Sequence, residues 1–197
     1  MGARGFNAEF VGSFFDMQQI PVDRRPHVAL AGRSNVGKSS LLNRLVGRRG
    51  LAKVSGTPGK TRSLNFFLVN GAFYLVDLPG YGYARVAKEI KESWGRMIET
   101  YLRTSTALAG LILLIDSRRE PTPEDVQLLD WLAAREVPAL IALTKADKLT
   151  RSQLGRQEAH LERDLGLSAI VTSVKTGVGK LELQRAITEL VEDFTVR

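Results

Sequence analysis

At 197 residues, 44% hydrophobic and 25% charged, the chain can bury a core of its own and reads as one globular domain, not a disordered or fibrous one. It has no cysteine, which excludes a disulfide framework and a thiolate zinc site, and no window approaches the roughly 18 apolar residues of a membrane span. A net charge of +7 favours an anionic partner, nucleic acid before any other, with simple solubility as the alternative because the Lys and Arg residues form no run of five. The expected location is the cytoplasm, with no membrane partner.

In chain order, a short amphipathic opening segment (1–24) precedes an alternation of strands and helices. HVALA (27–31) is the first expected strand. SSLLNRLVG is a helix with Leu41, Leu42, Leu45 and Val46 on one face. Residues 48–63 combine glycines and basic residues without apolar periodicity and read as a mobile loop. SLNFFLV and AFYLVD flank Asn70-Gly71, a strong two-residue hairpin signal that predicts two adjacent antiparallel strands.

A Gly-rich loop then leads into a helix near 88–105, and ALAGLILLID is a continuously apolar buried strand. TPEDVQLLDWLAARE follows as a helix capped by Thr122 with Pro123 in its first turn. VPALIALT is a strand, SQLGRQEAHLERDLG a helix, SAIVTS a strand, and GKLELQRAITELVEDF the closing helix. The expected fold is a single doubly wound α/β domain (25–197). Its sheet is mostly parallel and six-stranded, with one antiparallel hairpin strand.

Directly after the first strand, Gly32, Arg33, Ser34, Asn35, Val36, Gly37, Lys38, Ser39 and Ser40 read GRSNVGKSS and fill the phosphate-loop pattern GxxxxGK[ST]. Its backbone N–H groups would surround a β-phosphate at a helix N-terminus. Lys38 would add charge on the β- and γ-phosphates, and the Ser39 hydroxyl would ligate Mg2+. Downstream, Asp77, Leu78, Pro79 and Gly80 end an apolar strand, where the carboxylate can hold Mg2+ through water and the Gly80 N–H can meet a γ-phosphate.

Thr144, Lys145, Ala146 and Asp147 end another strand. The Asp147 carboxylate can accept N1–H and the exocyclic amine of guanine, a donor pair that adenine lacks. Thr172, Ser173, Val174 and Lys175 end the next, where a backbone N–H would meet the guanine O6 and Lys145 and Lys175 would lay their stems over the base. Singly these stretches are weak signals. In this order, each at a strand's C-terminal end, they favour GTP over ATP.

These stretches, GRSNVGKSSLLN, TPGKTRSLNFF, VDLPGYGYA, TKADKL and TSVKTGVG, resemble the EngB (YihA/YsxC) family of bacterial ribosome-assembly GTPases, within the translation-factor-related P-loop GTPases. The resemblance covers nearly the full length. It implies a GTP/GDP switch acting on the large ribosomal subunit or its precursor rRNA, indirectly needed for normal cell division; a monomer is expected. Thr61 matches the switch I threonine that ligates Mg2+ in the GTP state, with Gly59, Lys60, Arg62 and Ser63 around it. Lys38, Thr61 and Gly80 are thus the expected catalytic residues, and Ser39, Thr61 and, through water, Asp77 the metal ligands. Asn35 matches an asparagine that binds K+ in some relatives, a loop-stabilising Asn being the alternative.

Tyr81 stands where Ras-like proteins carry the glutamine that orients the attacking water, so slow hydrolysis, stimulated by a partner or by K+, is expected. Basic residues in and beside the two segments that GTP would order (48–63 and 77–93), among them Arg48, Arg49, Lys53, Lys60, Arg62, Arg85, Lys88 and Lys91, would let nucleotide state control rRNA binding, solvated loop charge being the alternative. A non-catalytic RNA-binding adaptor that holds GDP, and a P-loop kinase, are the competing readings.

Overall fold

The computed structural model describes residues 5–52, 63–81 and 97–195. Seven strands form one sheet: β1 (Ala8–Phe14), β2 (His27–Gly32), β3 (Leu64–Val69), β4 (Phe73–Asp77), β5 (Leu108–Asp116), β6 (Ala139–Thr144) and β7 (Ala169–Val171), in the order β1-β3-β4-β2-β5-β6-β7. The helices are α1 (Lys38–Leu45), α2 (helical at 97–104), α3 (Pro123–Ala133), α4 (Arg151–Leu165) and α5 (Lys180–Thr195). The doubly wound α/β class is borne out, as is the single strand of opposite direction. β3 is antiparallel to both β1 and β4, while β4, β2, β5, β6 and β7 run parallel to one another.

The strand count differs from the expected six because residues 8–14 pair with β3 at the edge of the sheet. Only Ala8 is fully buried in this strand, while Phe10 and Val11 stay half exposed, so the segment carries no clean alternation to betray it. Ring contacts of Phe10 with Phe67 and of Phe14 with Phe66 fasten it instead.

The β2 side chains alternate between the two faces of the sheet, as the strand period of two requires. Val28 and Leu30 join Leu41, Leu42 and Leu45 of α1 and Leu183, Ile187 and Leu190 of α5. Ala29 and Ala31 join Tyr101 and Leu102 of α2, Leu129 and Leu132 of α3, and Leu161 of α4. Asn70 and Gly71 both take positive φ (52° and 67°) in the hairpin between β3 and β4, as a type I′ turn demands. Thr122 caps α3 with Pro123 next, as expected, and Asp125 completes a capping box.

The start of the 48–63 segment is not loose. The Asn43 side chain bonds both the N–H and the C=O of Ala52 (2.7 and 2.8 Å), which packs in the core, and Arg48 donates to Ala8 O (2.9 Å). Residues 53–62 lie outside the described residues, as do 82–96 and with them the start of the helix expected near 88.

At the opposite end of the sheet from these loops, His27 is buried among Phe66, Tyr74 and Tyr101. Its Nδ1 lies 3.2 Å from the Tyr101 hydroxyl, while Nε2 has no hydrogen-bond partner among the described residues. Burial in this aromatic cage pushes the imidazole down to about 4 from an ordinary 6.5. The folded protein therefore holds a neutral ring where the unfolded chain takes up a proton, and stability is lost as pH falls through 6.5 towards 4. The His27 share reaches about 3 kcal/mol by pH 4. Denaturant unfolding at pH 7 and pH 4 should show that His27→Gln loses less stability than the wild type over this window by about that amount; identical pH profiles would remove His27 as the cause.

Candidate guanine nucleotide site

The five parallel strands all end at the same edge of the sheet, and the expected motifs follow four of those ends. The loop after β2 needs two glycines. Gly32 (φ 152°) comes so close to β5 that a Cβ would lie 2.7 Å from Leu114 O, and Gly37 (φ 106°) is a left-handed N-cap for α1. Because Gly37 brings no side chain to cap the helix, the first-turn N–H groups of α1 are left for an anion. Thr144 Oγ1 donates to Val36 O (2.7 Å), tying this loop to the end of β6.

Lys38 is buried and pairs directly with Asp77 at the end of β4, and Ser39 Oγ lies 3.5 Å from the other Asp77 oxygen. Ammonium, hydroxyl and carboxylate therefore meet at the mouth of the phosphate loop. A hydroxyl beside a carboxylate is the hard oxygen set that suits Mg2+. Leu78 is buried and its N–H donates to Leu30 O (3.1 Å), which fixes the start of the 77–80 turn; Pro79 is buried too. Gly80 packs on the loop itself: a Cβ there would lie 3.1 Å from both Ser34 N and Ser34 Cα. Ser34 N–H donates to Tyr81 O (2.9 Å), and Arg33 and Tyr81 form a β-bridge.

The other side of the site is assembled from the ends of β6 and β7. Lys145 takes a left-handed conformation (φ 59°), and its ammonium reaches Asn35 O (2.7 Å) and Asp116 Oδ2 (2.9 Å). Asp147 sits in the short 3-10 turn Ala146–Lys148 and accepts from Ser173 Oγ (2.7 Å). That hydrogen bond, ahead of the smaller effects of Lys148 and Lys175, holds the Asp147 carboxyl below its ordinary value. Ala146 N–H donates to Thr172 O (3.1 Å), and Thr172 Oγ1 to Leu143 O (3.0 Å), so the two loops are locked together. Val174 and Lys175 are exposed beside them.

Thus the structure brings together the 32–40, 77–80, 144–147 and 172–175 stretches, and Ser63 is buried two residues before Asn65, which pairs with Asp77. Gly59, Lys60, Thr61 and Arg62 lie outside the described residues.

The sequence reading missed Asp116. Burial works to raise its pKa, but hydrogen bonds from Arg118 (2.9 and 2.7 Å) and Lys145 outweigh this and hold the group well below the usual carboxylate range. It is a permanent anion that aims Lys145. The only available signal was an acid closing the apolar run ALAGLILLID. Tyr81 is not directed at the phosphate loop through its phenol; the hydroxyl donates to Asp125 of α3.

Comparison with known proteins agrees. The family model described as "50S ribosome-binding GTPase" matches residues 27–145. The probable GTP-binding protein EngB of Caldanaerobacter subterraneus subsp. tengcongensis is 49% identical over 188 residues, covering 94% of this chain and 97% of that protein. The protein of the same description from Pelotomaculum thermopropionicum is 50% identical over 185 residues, covering 92% and 93%.

In fold, the chain is similar to the crystal structure of a probable GTP-binding protein engB, with TM-score 0.71, 24% identity, and 85% of this chain and 99% of that chain covered. It is also similar to the cytosolic domain of the T. maritima FeoB iron transporter in a GDP form, with TM-score 0.57, 29% identity, and 85% of this chain and 63% of that chain covered. With identity near one half along almost the whole of both sequences, the chain belongs to the EngB GTP-binding proteins within the 50S ribosome-binding GTPase family.

Proposed function

We propose that this protein is a GTP-hydrolysing switch in the assembly of the large ribosomal subunit, acting in the cytoplasm as a monomer, with normal cell division depending on it indirectly. The observation that carries the reading is the convergence of Lys38, Asp77 and Ser39 with the Asp147–Ser173 pair at one edge of the sheet, in a chain of net charge +7. Lys38 and the N–H groups of the phosphate loop would hold the β- and γ-phosphates, Asp147 would read guanine, and Ser39, Thr61 and, through water, Asp77 would hold Mg2+. When bound, Mg2+ would supply charge neutralisation at the phosphates.

With Thr61 and Gly80 both recognising the γ-phosphate, GTP orders the segments that carry Lys53, Lys60, Arg62, Arg85, Lys88 and Lys91, and hydrolysis releases them. No glutamine follows Gly80, and the Tyr81 phenol bonds Asp125, so hydrolysis by the protein alone is slow. A ribosomal partner, or K+ at Asn35, supplies the stimulus. The engaged phenol also supports the adaptor reading, in which GDP is held without turnover; phosphate release accelerated by particles or by K+ excludes it.

The direct test is co-sedimentation with purified large-subunit particles across a salt series, comparing a non-hydrolysable GTP analogue with GDP. Retention with the analogue and release with GDP is the expected result. Equal and steeply salt-sensitive retention in both would reduce the interaction to counterion release by a basic protein and overturn the switch.

A further inference from the structure

We infer that the Tyr81–Asp125 hydrogen bond is a latch that holds Gly80 and Tyr81 down on the phosphate loop and biases the protein towards GDP, with Asp125 as the positioning residue. The inference rests on the GTP/GDP reading above and goes beyond it by assigning the nucleotide preference to a contact outside the nucleotide-binding motifs.

The argument begins with the α3 cap. Asp125 is buried, and its Oδ2 is taken by the Thr122 N–H (2.7 Å) and Thr122 Oγ1 (2.8 Å) as part of the capping box. A buried carboxylate needs its second oxygen satisfied as well. Oδ1 receives the Tyr81 hydroxyl. The cap thus fixes a strong acceptor on a rigid helix, and the acceptor fixes the tyrosine. Burial first, and the neighbouring Asp125 second, push the Tyr81 phenol above its ordinary value, so it remains a donor at every physiological pH.

The consequence at the phosphate loop is steric and polar together. With Tyr81 held, its carbonyl takes the Ser34 N–H, its backbone bridges Arg33, Ser34 Oγ donates to Gly80 O (3.3 Å), and a Cβ on Gly80 would lie 3.1 Å from the Ser34 backbone. A methyl group does not fit between Gly80 and Ser34 without displacement. A γ-phosphoryl group that enters between Gly80 and Ser34 lifts residues 80 and 81 and breaks these contacts. A diphosphate, which ends at the β-position, leaves them intact. The latch is thus a differential interaction between the two nucleotide states, which is the requirement for shifting an equilibrium between them.

Equilibrium binding of fluorescent GDP and of a fluorescent non-hydrolysable GTP analogue, both with Mg2+, tests this on the full chain. Tyr81→Phe removes one hydroxyl and keeps the ring. It should tighten analogue binding about five- to tenfold and leave GDP binding within about twofold. Asp125→Asn should shift the ratio in the same direction. Thr122→Ala removes one of the two hydrogen bonds that orient Asp125 Oδ2 and keeps the backbone one, so it should lower the melting temperature and move the ratio by clearly less than Tyr81→Phe does.

An unchanged analogue-to-GDP ratio in Tyr81→Phe would overturn the latch even if Asp125→Asn failed to fold, as would a ratio that moved as far in Thr122→Ala. Failure of the wild type to bind either nucleotide would instead overturn the nucleotide reading, and the latch with it.

Discussion

Asp147→Asn is expected to exchange guanine for xanthine. The carboxylate sits in a 3-10 turn whose entrance is set by left-handed Lys145, accepts from Ser173 Oγ and is held ionised well below neutral pH. Such a group accepts both donors of the guanine edge, N1–H and the exocyclic amine. An amide in its place turns one acceptor into a donor, which meets guanine's amine donor to donor but matches the carbonyl that xanthine carries there. Leaving polar groups unpaired in a site built to hydrogen-bond them costs about a hundredfold or more in discrimination. Competition binding should therefore show GTP weakened by at least that factor and XTP preferred over GTP. The Ser173 hydroxyl can still donate to the asparagine carbonyl, so the fold should be unaffected. Unchanged GTP selectivity would remove Asp147 from base reading.

Lys38→Ala should abolish nucleotide binding and lower stability at the same time, and the two effects separate. Lys38 and Asp77 are both buried and face each other at the centre of the sheet edge. Removing the ammonium strands a buried carboxylate, a change that costs about 3–5 kcal/mol and lowers the melting temperature of a chain of this size by on the order of 10 °C. Removing both partners, in Lys38→Ala with Asp77→Ala, should recover a good part of that stability while nucleotide binding stays lost. Calorimetry and nucleotide titration on the same three proteins check this. Wild-type affinity in Lys38→Ala would remove the lysine from phosphate binding, and an unchanged melting temperature would show that Asp77 finds another partner.

The parts of this molecule that were legible in the sequence are those whose information is local. GRSNVGKSS is contiguous because one turn of backbone must wrap one phosphate group, and the leucines of α1 or the apolar run of β5 announce their burial within a few residues. Asn70-Gly71 was legible because both positions need left-handed backbone. The edge strand β1 was not, since it pairs with β3 alone and buries little of its own surface. The start of α4 was missed by one residue, although Thr150 and Gln153 form a capping box that the spacing T-x-x-Q could have disclosed.

The remaining omissions are pairings across the fold. Lys145 reaches Asn35 over 110 positions, and Tyr81 reaches Asp125 over 44. Each partner alone looks like an ordinary polar residue at an element's end. Only the stacking of β6 beside β5, and of α3 beneath the 77–81 turn, makes them neighbours.

One strand in this sheet runs backwards, and its direction decides where the chain can sense a ligand. In an all-parallel arrangement, the connection leaving α1 would enter the next strand at the edge remote from the phosphates and would never pass them. Because β3 is reversed, it begins beside Asp77, with Asn65 opposite that residue, so its first residues stand at the same edge as the phosphate loop. The hairpin turn at Asn70-Gly71, a full strand length away from that edge, thereby determines which end of β3 lies beside Asp77. A chemically silent turn is in this sense part of the address of the site.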